Sequence, residues 1–152
     1  MKPYLFLIAA MWLFTISYSQ TGISKYDKSL ADSLGSDQYG MKSYVFVILK
    51  TGSVTITDTA KATELFRGHM TNINRLAKEG KLVLAGPFRK NESFFRGLFI
   101  LNVTTLSEAR ELLKTDPAIR EGVFNTELYE WYGSAALPMY LPYHEKVQQQ
   151  KP

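Results

Sequence analysis

The side chains with chemistry in reach are few. Between residues 43 and 132 the only histidine is His69; the other, His144, lies near the C-terminal end beside Glu145. An imidazole takes or gives a proton near neutral pH, and a carboxylate bonded to its second nitrogen fixes the tautomer and stabilises the charged form. Asp116, immediately before Pro117, is a candidate for that partner, and it serves equally well as the N-cap of a helix. Arg67 and Arg96 are candidates to hold an anionic substrate, although arginines in such positions are commonly solvated. Phe88, Phe94 and Phe95 either line or lid a pocket or pack in the core. The absence of cysteine removes disulfides, thiolate catalysis and lipid attachment through a thiol. With two histidines and no cysteine there is little from which to build a zinc or iron site, so no metal and no other cofactor is expected.

Those residues need elements to position them. Leu65, Phe66, Met70, Ile73, Leu76 and Ala77 recur at three-and-four spacing with His69 in the same stripe, which predicts a helix over 60–79 with His69 facing inward. Thr57, Asp58 or Thr59 can cap its start, and Gly80 supplies its left-handed stop. SYVFVILK, residues 43–50, is a dense β-branched and aromatic strand apolar on both faces. A second strand spans 82–85 and is broken by Gly86-Pro87; the loop 88–96 is long enough to fold over a cleft; a third strand spans 97–103. Thr105 and Glu108 form a capping box opening a second helix that must end near Thr115. Asp116-Pro117 starts a further helical turn closed by Gly122, and the fourth strand spans 123–132.

The flanks differ in composition. Residues 1–19, MKPYLFLIAAMWLFTISYS, carry one lysine, an apolar run and a small-residue ending, the pattern of a signal peptide cleaved before Gln20. The run is short for a membrane span, so an exported (periplasmic or secreted) chain with no stable membrane insertion after cleavage is expected. Residues 20–42 form a polar leader, either a short surface helix or disordered, with a linker at 35–40. Residues 133–152 read as a tail or an arm lying on another surface. The 152 residues, 45% hydrophobic and 21% charged, suit one domain, 43–132, with a real core. The net charge of +4 is scattered rather than striped, and no nucleic-acid partner is expected.

The order strand, helix, strand, strand, helix, strand is the α+β, ferredoxin-like βαββαβ plan: an antiparallel sheet with two helices on one face. Strands apolar on both faces then need a cover for the helix-free side. A second copy packed sheet to sheet, a homodimer, is the simplest one; the leader or the tail is the alternative. RGHMTNINRLAKEGKLVLAGPF, GLFILNVTTLSEARELL and TDPAIREGVF resemble, in order and spacing, the YCII-related family of dimeric α+β barrel proteins. That resemblance implies a ferredoxin-like dimer and a histidine–aspartate site whose members fall on His69 and Asp116. One branch of the family is associated with elimination of HCl from chlorinated hydroxyquinones. The implied function is a small-molecule lyase or isomerase with His69 as general base, Asp116 orienting it, and Arg67, Phe88, Phe95 and Arg96 about an unknown small ligand. The same cleft also suits a non-catalytic ligand-binding or dimerisation module.

Overall fold

The computed structural model describes residues 26–150, so the signal peptide expected at 1–19 lies outside the described residues. In chain order the elements are α1 (Lys28–Leu34), β1 (Met41–Thr51), α2 (Thr59–Lys78), β2 (Leu82–Pro87), β3 (Phe95–Leu101), α3 (Leu106–Leu113), α4 (Pro117–Arg120) and β4 (Phe124–Ser134). A 3-10 turn (Leu137–Tyr140) and α5 (Leu141–Val147) follow. The four strands make one antiparallel sheet ordered β2-β3-β1-β4, the ferredoxin-like arrangement expected from the order of elements.

β1 occupies an inner position, which is why both of its faces are apolar. Val45, Val47 and Leu49 join Phe99 and Leu101 of β3, Leu76 of α2, and Ala109 and Leu113 of α3 in the main core. Both long helices therefore lie on that one face. Local chemistry sets their ends: the Asp58 carboxylate accepts from the backbone N–H of Ala60 at 2.8 Å, and Gly80 takes φ +68° past the end of α2. At α3 the Thr105 hydroxyl accepts from Glu108 N–H at 3.2 Å, whereas Glu108 completes no reciprocal box and reaches Lys81 instead, at 3.1 Å.

Three departures from the expected boundaries have physical causes. β2 does not break at Gly86-Pro87: both residues pair with β3, opposite Leu98 and Gly97. β2 is an edge strand, so the proline's missing N–H faces no partner. The segment 35–40 is a tight turn rather than a linker. The Asp37 carboxylate accepts from the N–H groups of Tyr39 and Met41, at 2.9 and 3.0 Å, and from the hydroxyl of Tyr132. Residues beyond 132 first extend β4 and then fold back over their own sheet. Leu137 packs on Tyr44, Val83 and Ile100, and the Tyr140 hydroxyl donates to the Val83 carbonyl at 2.7 Å. The C-terminal segment thus covers the β2–β3 part of the helix-free face. Phe46, Ile48 and Leu98 remain half-buried there, and Tyr129 and Trp131 of β4 remain exposed.

Candidate functional site

His69 lies midway along α2 and Asp116 at the start of α4, 47 residues later. Their meeting depends on Gly68. A Cβ built there would stand 2.5 Å from Cγ of Pro117, so only a residue without a side chain lets α2 approach α4 this closely. With that approach, His69 Nδ1 stands 2.6 Å from Asp116 Oδ2, the histidine 6% exposed and the aspartate fully buried.

The two carboxylate oxygens of Asp116 divide two tasks. Oδ1 accepts from the N–H groups of Ala118 and Ile119, at 2.9 and 3.3 Å, which caps α4. Oδ2 is left for the imidazole. The cap and the partner are therefore the same residue, and the choice between them that the sequence left open does not arise. An acceptor-only oxygen opposite Nδ1 requires a proton on Nδ1, which leaves the lone pair of a neutral ring on Nε2. No fully buried side-chain nitrogen or oxygen lacks a partner among the described residues, and Nε2 has none. It follows that Nε2 is accessible and is the atom His69 presents outward.

Its surroundings are apolar. The imidazole is stacked on Phe99, with centroids 6.0 Å apart, and meets Phe124 at 5.1 Å and Phe66 at 6.3 Å. Phe66 and Phe124 also wall a cavity of about 330 Å³ that is completed by Ile56, Leu65, Ala118 and Val123, among others. A larger groove of about 490 Å³ runs between α2 and α4 past Lys61, Arg67 and Arg120. The imidazole lines neither opening; the apolar cavity is separated from it by the rings of Phe66 and Phe124, which both touch the imidazole and wall the cavity.

The structure brings together His69 and Asp116 and disperses the other candidates. Arg67, two residues along α2 and so about 200° around the helix from His69, lines the α2–α4 groove. Phe88 and Phe95 pair with each other at 5.7 Å, where Lys50, bonded to Glu127, stands over the Phe95 ring at 5.8 Å. They do not join the rings around the imidazole; Phe66, Phe99 and Phe124 do. Arg96 donates from Nε to Thr51 Oγ1 at 2.7 Å, and Thr51 lies opposite Phe124 in the β1–β4 register, so Arg96 is held at the sheet end nearest the cavity wall. His144 stands on α5 against Tyr140, and no group of three or more metal-ligating side chains occurs among the described residues.

Asn72 was not anticipated. It lies one turn after His69 and is 6% exposed, with Nδ2 3.5 Å from Asp116 Oδ2. The sequence did hold a signal: an asparagine three residues from the histidine on the inward stripe of an otherwise apolar face. Phe66, placed on that inward stripe by periodicity, is instead 58% exposed at the cavity mouth.

The profile of the YCII-related domain matches residues 43–132. The chain belongs to the YCII-related family. Among solved structures this family member is similar to 5-chloro-2-hydroxyhydroquinone dehydrochlorinase (TftG) from Burkholderia phenoliruptrix AC1100, in complex with 2,5-dihydroxybenzoquinone. The identity is 16%, the match covers 57% of this chain and 92% of that one, and the TM-score is 0.42, too remote a likeness to carry an argument. No curated protein matches the chain.

Proposed function

We propose that this YCII-related protein is a small-molecule lyase or isomerase in which His69 Nε2 removes a proton from a substrate held in the apolar cavity, with Asp116 orienting the ring. The observation that carries the reading is the 2.6 Å contact between Nδ1 of a buried histidine and a fully buried carboxylate, with Nε2 left free. That arrangement supports a general base: the tautomer is fixed and the imidazolium formed on proton abstraction has its counter-charge in place. A cavity of about 330 Å³ walled by Phe66 and Phe124 suits a small ring compound. One observation favours the second reading, binding without turnover: the residues lining the cavity are all apolar and offer no side-chain donor for a developing oxyanion.

A panel of small cyclic hydroxy compounds, assayed for elimination and for proton exchange with D2O, separates the two readings. Turnover by the native chain that disappears in His69→Gln while binding persists supports the enzyme; binding with neither reaction supports the ligand-binding module; equal turnover by both proteins refutes the role given to His69. Two further proposals belong to this reading. The half-buried Phe46, Ile48 and Leu98 with the exposed Tyr129 and Trp131 support a homodimer through the uncovered part of the helix-free face. The charge and apolar pattern of residues 1–19 supports export with cleavage before Gln20.

A further inference from the structure

We propose that Asn72 and Arg75 are positioning residues for the His69–Asp116 pair, forming a polar chain from the surface of α2 that fixes the carboxylate at a second point. This rests on the reading of that pair as a working dyad. The helix cap holds Asp116 only by Oδ1, through the N–H groups of Ala118 and Ile119. A carboxylate held at one oxygen still pivots about it, and Oδ2 is the oxygen that meets His69. Among the described residues, Asn72 Nδ2, 3.5 Å from Oδ2, is the only other side-chain donor near it.

At that distance the contact is weak as a hydrogen bond, so its effect depends on the amide dipole being held in one orientation. Arg75 holds it. One terminal nitrogen, Nη2, donates to Asn72 Oδ1 and to Thr115 Oγ1, each at 2.8 Å. The other, Nη1, donates to both carboxylate oxygens of Glu79, at 2.8 and 2.9 Å. Thr115 Oγ1 in turn stands 2.9 Å from Asn72 Oδ1 and 2.6 Å from the Leu112 carbonyl, which places the arginine end of the chain beside the residue preceding Asp116. With Oδ1 committed to Arg75, Nδ2 must face Asp116; rotating the amide would set an oxygen against a buried carboxylate and a nitrogen against a guanidinium. Glu79, at the C-cap of α2, and Arg75, Asn72 and His69 within it follow one another at steps of four, three and three residues, the spacing of a single helix stripe. A buried asparagine is a costly choice on a core-facing stripe where leucine would pack, and a positioning role accounts for it.

The test is 15N NMR of the two ring nitrogens of His69 in the full chain, which reads the tautomer directly and needs no substrate. The native protein shows a single form protonated on Nδ1. In Asn72→Leu, branched at the same atom and without the donor, the two nitrogen shifts move toward each other as the Nε2-protonated form becomes populated. Arg75→Met keeps the aliphatic stem of an exposed side chain and frees the amide, so it gives the same direction of shift in a chain whose core is untouched. A folded Asn72→Leu with the native shifts overturns the inference, and if that variant does not fold, native shifts in Arg75→Met overturn it alone. Asp116→Asn is the control: if it too leaves the tautomer unchanged, the dyad itself fails, whereas a change there with none in the other two removes only the role of Asn72 and Arg75.

Discussion

Asp116 has two separable functions, and two substitutions divide them. In Asp116→Asn the side-chain oxygen stays with the two N–H donors of Ala118 and Ile119, because the amide nitrogen there would meet donor with donor. The nitrogen then faces His69 Nδ1, now 2.6 Å from a donor rather than an acceptor. The imidazole answers by moving its proton to Nε2, which removes the lone pair a general base requires. A charge-assisted hydrogen bond contributes about 1.5–3 kcal/mol and a neutral one about 0.5–1.5, so the exchange costs about 1–2 kcal/mol. Asp116→Ala also removes the cap, about 1 kcal/mol, and strands a buried ring N–H, about 1–3 kcal/mol, for a total of about 2–4. At roughly 4 °C per kcal/mol for a chain of this size, the alanine protein should melt several degrees below the asparagine protein, which itself melts below the native one. Calorimetry gives the stabilities and 15N NMR the tautomer. Equal stability of the two variants, or an Asp116→Asn protein that keeps its proton on Nδ1, would refute the division of the carboxylate between cap and imidazole.

Gly68→Ala raises the intrinsic helix propensity of α2 by about 1 kcal/mol, but its methyl lands 2.5 Å from Pro117 Cγ. Overpacking of about 1–3 kcal/mol should outweigh that gain, giving a lower melting temperature and a heterogeneous His69 tautomer; a stabilised protein with the native tautomer contradicts the close-approach argument. The Tyr132 hydroxyl, with the N–H groups of Met41 and Tyr39, holds the Asp37 carboxyl below its ordinary value. Its contribution to stability is therefore present above the ordinary aspartate range and is lost as the pH falls through the depressed folded value. The difference in melting temperature between the native chain and Asp37→Asn should shrink as the buffer is taken from pH 7 to strongly acidic, and a difference that does not vary with pH rules this out. For the helix-free face, light scattering should give twice the monomer mass at micromolar concentration and the monomer mass for Tyr129→Glu, a change at a residue of that face that is 50% exposed; a native monomer ends the dimer proposal. Mass spectrometry of the exported protein should find a chain beginning at residue 20, and an intact Met1 on a cytosolic protein is the contrary result.

The sequence by itself determined what acts over a few residues. Asp58 and Gly80 bound α2 through a side-chain cap and a left-handed stop, Thr105 opens α3, and Asp116-Pro117-Gly122 frame α4. Each rests on hydrogen bonds or backbone preferences within about four residues, so each is written where it acts. The alternation-free apolar strand of residues 43–50 likewise announces an inner strand, and the order of elements the ferredoxin-like sheet. Residue similarity to the YCII-related family placed His69 and Asp116 as a pair, but nothing local sets their separation. That distance depends on α2 reaching α4 across a side-chain-free Gly68, a complementarity between a glycine and a proline 49 positions apart. Tertiary packing decided the rest in the same way. Gly86 and Pro87 are paired because their strand is at the edge, and Phe66 lies outside the core although the periodicity of α2 turns it inward. Of the rings around the imidazole, Phe99 and Phe124 are brought there by sheet register, and Asn72 is buried because Asp116 and Arg75 converge on it. A stripe of helical periodicity tells which side chains share a face; which of them meets a carboxylate, a ring or water is fixed only by what the remote chain lays against that face.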